Sequence, residues 1–421
     1  MKPHIQLIGA SKVFVCDEEF GIIDNGGVAF ESGGNQNCIV ALGDYEELKV
    51  KYTDATFYSD SVILPGFVNS HIHFEFGNNI SSFVYGGFDK WLQSVMAKRD
   101  NVLLDIQDCV TSGIQEQLRS GVTSVGAISS YGHDLTLLAQ SPLRVTYFNE
   151  VIGSTPSGID FLYSDFLARY HASRQLQSYR FSPAIAIHSP YSVHSVLAKK
   201  VLELARKDRV LTSTHFLESH FERQWLQEAK GWFGNFYKKV LNITSPQPFY
   251  SIEEFINLFE GLDTLFVHCL FASQKEFAQI GKNGSIVSCP RSNRLLNNTY
   301  LDLSVLQSQG ISPIFATDGK SSNNNLNMLE ELRSALFGYE KLDLEDLSKT
   351  LILGASANAA KALRLNNGIL KNGKWADIAV FQCPQIAQSS QAPLQFLLQS
   401  GEVTTLYING SAVIKDNHLY S

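Results

Sequence analysis

Four stretches of the chain run through apolar residues and stop at a side chain able to hold a metal ion or carry a proton. They are Pro65 to His73, ending in His71-Ile72-His73; Val210 to His215, with Glu218 just beyond; Thr264 to His268; and Ile311 to Asp318. Side chains on a strand repeat on one face every second residue, so His71 and His73 point the same way, about 7 Å apart along the backbone. Two imidazoles placed like that can converge on one cation. Taken alone, a His-x-His favours a pair of strand-end histidines with no shared task, because short motifs occur by chance. The same form recurring at His215, His268 and Asp318 tips the balance towards a constellation.

The order of these residues resembles the amidohydrolase superfamily, whose members bind one or two metals at the C-terminal mouth of a (β/α)8 barrel. That family places His-x-His after strand 1, His after strands 5 and 6, and Asp after strand 8, and the resemblance spans nearly the whole chain. It implies that His71, His73, His215 and Asp318 are ligands of a divalent metal ion. Three neutral nitrogens and a carboxylate suit zinc or iron and leave room for water, whose pKa such an ion lowers towards neutrality. Two-metal relatives usually carry a lysine at the end of strand 4. Here that stretch reads Ala184-Ile185-Ala186-Ile187-His188, which argues for one ion per chain. His188, Ser189 and Tyr191 then become candidate substrate contacts, since Pro190-Tyr191 resembles the strand 4 loop of nucleoside deaminases; a structural role for His188 stays open.

His215-Phe216-Leu217-Glu218 is similar to the His-x-x-Glu of the mononuclear deaminases acting on cytosine, guanine, adenosine and S-adenosylhomocysteine. The resemblance implies hydrolytic deamination with Glu218, His268 and Asp318 as catalytic residues. Asp318 and His268 take a proton from water, Glu218 protonates the ring nitrogen beside the attacked carbon, and ammonia leaves. A surface glutamate and a hydrogen-bonded core histidine are the plainer alternatives for Glu218 and His268. Cys289-Pro290-Arg291-Ser292-Asn293 resembles the Cys-Pro-x-Ser-Asn loop of the same branch, with Cys289 buried rather than nucleophilic. His73-Phe74-Glu75 matches the His-x-Glu of cytidine-type zinc deaminases, but the Pro-Cys-x-x-Cys that class needs is missing.

Within the branch, Asn69 to Phe76 and Ile187 to Ser192 carry a likeness to the aminodeoxyfutalosine deaminases of menaquinone-making bacteria. The small-molecule substrate this implies is an adenine nucleoside extended by a benzoate, whose carboxylate needs a cation or hydroxyl cluster. Arg144, Arg223, Arg291 and Arg294 lie near predicted strand ends or loops and are the candidates. Adenosine, S-adenosylhomocysteine or methylthioadenosine is the alternative substrate, and guanine- or cytosine-type deamination belongs to the same branch. A metal-free scaffold and a two-metal amide hydrolase are disfavoured, by the intact ligand set and by the absent strand 4 lysine.

The elements that must position these residues follow from the pattern of the chain. Its 421 residues, 44% hydrophobic and 18% charged, fit an ordinary globular protein with room for a barrel of about 250 residues and a smaller module. A net charge of −7 gives no basic footprint for nucleic acid, and Lys and Arg do not cluster as an anionic membrane surface would require. Six scattered cysteines argue for reduced thiols in a cytoplasmic protein, and no apolar run reaches the roughly 18 residues of a membrane span. The N-terminus lacks the basic and apolar segments of an export signal. A homodimer is what the resemblance suggests.

Between residues 62 and 362, strand-like runs alternate with helical patterns, the signature of an α/β fold with a parallel sheet, here a (β/α)8 TIM barrel. The strands are predicted to follow Val62-Ile63-Leu64 and then at Gly121–Ala127, Leu143–Phe148, Ser182–His188, Val210–His215, Thr264–His268, Ser285–Cys289 and Ser312–Asp318. Residues 1–61 and 363–421 read as short β runs with Gly, Asn and Asp turns, which in the family meet in one small discontinuous β-sandwich. Between Glu218 and Ile252 the chain is rich in aromatics, from Trp225 to Tyr250. That stretch reads equally as a larger helix or as a lid over the strand 5 mouth.

Overall fold

The computed structural model describes residues 4–98, 103, 105–240, 242–386 and 390–420. The chain opens with β1 (His4–Phe14), β2 (Ile22–Ser32), β3 (Ile39–Asp44) and β4 (Ala55–Pro65). Its middle supplies β5 (Phe67–Ile72), β6 (Val122–Ser129), β7 (Arg144–Val151), β8 (Phe181–Ile187), β9 (Thr212–Phe216), β10 (Thr264–His268), β11 (Gly284–Ser288) and β12 (Ile314–Phe315). It closes with β13 (Ile378–Gln382), β14 (Thr405–Ile408), β15 (Ser411–Lys415) and β16 (His418–Leu419).

The first and last groups share one eight-stranded sheet in the order β16-β15-β14-β13-β4-β1-β2-β3. The two ends of the chain meet where β13 pairs antiparallel with β4, Val380 opposite Ile63. Apolar side chains from both ends, among them Ile8, Val28, Phe30, Ile63, Ile378 and Val380, form its buried cluster. Val62-Ile63-Leu64, expected to lead the first barrel strand, therefore belongs to this sheet instead. The chain changes sheets at Gly66, where a Cβ would stand 2.2 Å from Thr123 Cγ2, so a side chain there has no room.

β5 to β12 form the second sheet in sequence order, each parallel to the next. Every residue of β5, β6, β7, β9 and β10 is buried, as in a parallel sheet covered on both faces, which is why these strands read as continuous apolar runs. Helices such as Ile106–Arg119, Ser195–Asp208 and Gln274–Ile280 lie between them in the chain, and Met328–Gly338 follows β12. β12 contributes only two paired residues, fewer than the predicted run from Ser312 to Asp318. Pro313 removes a backbone donor there, and Asp318 adopts φ 60, which takes the chain out of the extended conformation. The barrel closes through other bonds: Asp318 N donates to His71 O at 3.1 Å, and Thr317 N to Asn69 Oδ1 at 3.1 Å.

Arg144 begins β7 and so stands at the opposite end of the barrel from the strand C-termini. Its guanidinium forks onto Asp377, Nε to Oδ2 at 2.6 Å and Nη2 to Oδ1 at 3.1 Å, and lies 4.1 Å over the Trp375 ring. Asn367 Nδ2 and Asn409 N also donate to Asp377, at 2.7 and 2.8 Å. Arg144 thus clasps the barrel to the terminal sheet, at the end away from the histidine rim. Because both partners are buried, Asp377→Ala leaves a guanidinium unpaired; the variant should be destabilised by about 3–5 kcal/mol in chemical unfolding, while each folded molecule keeps its activity.

Candidate metal and active site

His71 lies in β5 and His73 one residue beyond it, His215 lies in β9, His268 ends β10, and Asp318 follows β12. These strand ends bring the side chains to one rim of the barrel. The His71 ring centroid is 4.9 Å from those of His73 and His215, and His73 and His215 stack 5.5 Å apart. His71 Nε2 and His73 Nε2 are each 3.6 Å from Asp318 Oδ1. Two groups share His71 and have all their ligand atoms within 4.8 Å of one another: His71, His73 and Asp318, and His71, His215 and His268.

The chemistry of this set fits a divalent cation. Both ring nitrogens of His71, and Nδ1 of His73, are buried without a hydrogen-bond partner. Burial, reinforced by the His71 imidazole, pulls His73 down to about 3; burial and then the His188 ring take His215 well below the usual range. The imidazoles of His73 and His215 are therefore neutral and offer lone pairs. Burial alone would raise Asp318, but the His71 imidazole 3.6 Å away and the nearby His73 imidazole outweigh it and hold the carboxyl well below the usual range. Its Oδ2 accepts from the hydroxyls of Ser292 and Ser322, both at 2.8 Å, and Oδ1 accepts from Gly319 N at 2.8 Å.

Neighbouring groups orient the rings. His215 Nδ1 donates to the His188 carbonyl at 2.8 Å, which leaves Nε2 free for a cation. His268 Nδ1 bonds Asn293 Oδ1 at 2.8 Å, and its Nε2 lies 3.7 Å from Glu218 Oε1. Glu218 is buried, and burial followed by the charge of Asp318 pushes its carboxyl well above the ordinary value. A shift in that direction favours the protonated carboxyl, which can give its proton up to a bound molecule. Leu217, His268, Cys269 and Asp318 all have φ between 45 and 71, a left-handed conformation costly for non-glycine residues and often found at functional sites. None of them is a glycine, so local sequence gives no sign of it.

His188 stands just past β8, its ring 4.9 Å from that of His215 and 6.0 Å from that of Tyr191. Its Nδ1 meets Ser192 Oγ at 2.7 Å and Ser189 Oγ at 3.1 Å, so His188, Ser189 and Tyr191 line one side of the site. The aromatic stretch after Glu218 folds as two short helices, His220–Glu228 and Trp232–Val240, that cover this loop. The Phe233 ring lies 4.5 Å from Tyr191, the Tyr237 hydroxyl donates to Tyr191 O, and Tyr250 donates to Val193 O at 2.8 Å.

The arginines expected to meet a substrate carboxylate are occupied elsewhere. Arg223 forks onto Glu276, at 2.8 and 3.3 Å. Arg291 engages all five N–H donors: Nε on Glu331 at 2.6 Å, Nη1 on Asn324 and Asn325, and Nη2 on the carbonyls of Asn325 and Asn327. Arg294 is exposed and bonds Asn298. With Arg144 in its clasp, none of the four presents an open fork to the site.

Two further carboxylates lie beside this group: Glu150, which escaped the sequence reading, and Glu75, which entered it only within His73-Phe74-Glu75. Glu150 in β7 is buried, with Oε1 unpartnered and 3.8 Å from His215 Nδ1, and burial pushes it up to about 7. It stands at the end of a strand in the same manner as the candidate ligands, which was the available signal. Glu75 accepts the backbone N–H groups of Ser130, Tyr131 and His133, at 2.8, 3.1 and 3.0 Å, and so pins the loop after β6 to the end of β5. Cys289 is buried, and burial raises its thiol well above the ordinary range.

The profile of the Amidohydrolase family matches residues 62–413. The chain belongs to the amidohydrolase family. It is 41% identical to a protein described as adenosine deaminase from Helicobacter pylori, over 97% of this chain and 100% of that one. It is also 40% identical to an aminodeoxyfutalosine deaminase from Nitratiruptor sp., over 94% of this chain and 96% of that one. Among solved structures, Helicobacter pylori aminofutalosine deaminase in complex with methylthio-coformycin superposes with a TM-score of 0.93 at 40% identity, covering 97% of this chain and 100% of the other. Among the described residues of this amidohydrolase, no helix is long and apolar enough to cross a membrane.

Proposed function

We propose that this amidohydrolase is a hydrolytic deaminase of a 6-aminopurine nucleoside, with 6-amino-6-deoxyfutalosine as its substrate. The observation that carries the reading is the buried Glu218, its Oε1 3.7 Å from His268 Nε2, which itself groups with His71 and His215. One divalent ion per chain, zinc or iron, would be held by His71, His73, His215 and Asp318, and when bound would lower the pKa of water there towards neutrality. His268 Nε2 and the Asp318 carboxylate take up the proton released as the C–O bond forms. Glu218 delivers its own proton to the ring nitrogen next to the amino-bearing carbon, the proton on Asp318 passes to the amino group as the C–N bond breaks, and the proton of the added hydroxyl returns to Glu218 as the carbonyl forms. His188, Ser189 and Tyr191 contact the nucleoside, and the helices His220–Glu228 and Trp232–Val240 keep water from that side.

Adenosine, S-adenosylhomocysteine or methylthioadenosine is the second reading, favoured by the relative described as an adenosine deaminase. A panel of adenine nucleosides scored by ammonia release separates the two. The benzoate-bearing nucleoside should show the highest kcat/KM, and inertness towards every 6-aminopurine nucleoside would refute the substrate class. A cytoplasmic setting accords with six cysteines, none in a disulfide, and a homodimer with the family likeness.

A further inference from the structure

β9 ends at Phe216, and two residues carry the chain from there to Glu218. The first, Leu217, is left-handed at φ 45, a conformation a branched side chain does not adopt unless something enforces it. What meets this turn from below is Glu222. Its Oε1 accepts Leu217 N at 2.8 Å and its Oε2 accepts Glu218 N at 3.1 Å, so one carboxyl group holds two successive peptide N–H groups. Glu222 is completely buried, and among the described residues no basic side chain forms an ion pair with it.

This is not the ordinary capping arrangement. Glu222 occupies the third position of the helix His220–Glu228, whose N-cap, Ser219, accepts Glu222 N at 3.2 Å. In a capping box the third-position glutamate reaches back to the N–H of the N-cap residue, as Glu254 does for Ser251. Glu222 passes over Ser219 and takes the two N–H groups before it. The far side of the turn is tied as well, with Phe271 N donating to Leu217 O at 3.1 Å and Cys269 N to Phe216 O at 2.9 Å. The strand end carrying His268 is thereby bonded to the turn carrying Glu218.

We infer that Glu222 is a positioning residue for the deamination: its bidentate grip on the 217–218 backbone sets the height and direction from which Glu218 reaches the bound base. The inference rests on the proposed role of Glu218. Misplacing a proton donor by about 1 Å costs on the order of 100-fold in rate. Glu222→Gln, which turns an amide N–H against a backbone N–H, should therefore lower kcat about 100-fold and leave KM within about threefold. Its metal content should match that of the parent. Ser219→Ala removes the helix cap without touching the grip, and should lower Tm while keeping near-normal kcat.

A double-mutant cycle separates positioning from plain stabilisation. If Glu222 acts through Glu218, adding Glu222→Gln to Glu218→Gln costs no further rate. An equal further loss in that background would overturn the inference, as would near-normal kcat in Glu222→Gln. Should Glu222→Gln not fold, Glu222→Asp serves in its place, since its shorter side chain keeps a carboxyl group but cannot span both N–H groups; normal kcat there would also overturn it. Near-normal turnover in Glu218→Gln alone would instead remove Glu218 from the reaction and is read separately from the behaviour of Glu222.

Discussion

Glu218→Gln keeps its divalent ion and loses turnover by about 1,000-fold, within the range a positioned proton donor contributes and equivalent to about 4 kcal/mol of barrier. Glutamine has the same shape and fills the same buried volume, so the helix that follows and the loop beneath it stay in place. What it lacks is a proton to surrender. Glu218 lies outside the His71, His73 and Asp318 group, which is why the ion should remain. The sign of the pH dependence follows from its raised pKa: the useful form is the acid, present below that pKa, so turnover falls as pH climbs through it. The residual rate of the variant should lack that alkaline limb. Steady-state ammonia release, with metal per chain measured on the same samples, decides the matter; a near-normal kcat would exclude Glu218 as the donor.

The site was legible because each of its principal residues stands where a wholly buried strand stops. In a parallel sheet covered on both faces, the strand is an unbroken apolar run and its C-terminal end is where polarity returns, so His71, His215, His268 and Asp318 announce themselves locally. What local sequence could not supply were partners distant along the chain. Arg144 and Asp377 are 233 residues apart and Arg291 and Glu331 are 40 apart, and each arginine looked free until its carboxylate was found beside it. The run Val62-Ile63-Leu64 misled for a related reason. A buried central strand of the terminal sheet and a buried barrel strand have the same composition, and only the close approach of Gly66 to Thr123 marks the boundary. Glu222 is missed because a glutamate at the third helical position usually reaches the cap residue, and nothing in its neighbours says that it reaches further.

Removing the ion should abolish turnover and soften the fold together. Imidazoles and one carboxylate converge where His71 and His73 nitrogens have no protein partner, so a cation among them would satisfy these buried groups. A ligand that binds the folded chain and not the unfolded one adds about 4 kcal/mol at a thousandfold excess over its Kd. Dialysis against a chelator should thus lower Tm as well as rate, and zinc or ferrous iron should restore both. The ligands can be told from their neighbour in the same experiment. His215 has Nδ1 committed to the His188 carbonyl and Nε2 free, so His215→Ala should arrive without metal and without activity. His268 presents Nε2 towards Glu218 at 3.7 Å, so His268→Ala should keep an ion and lose rate through kcat. If chelated protein turned over at the full rate, or if His268→Ala and not His215→Ala lost the ion, the assignment of three imidazoles and Asp318 as the cation's cage would fail, because that assignment gives the open Nε2 of the buried His215 ring to the cation.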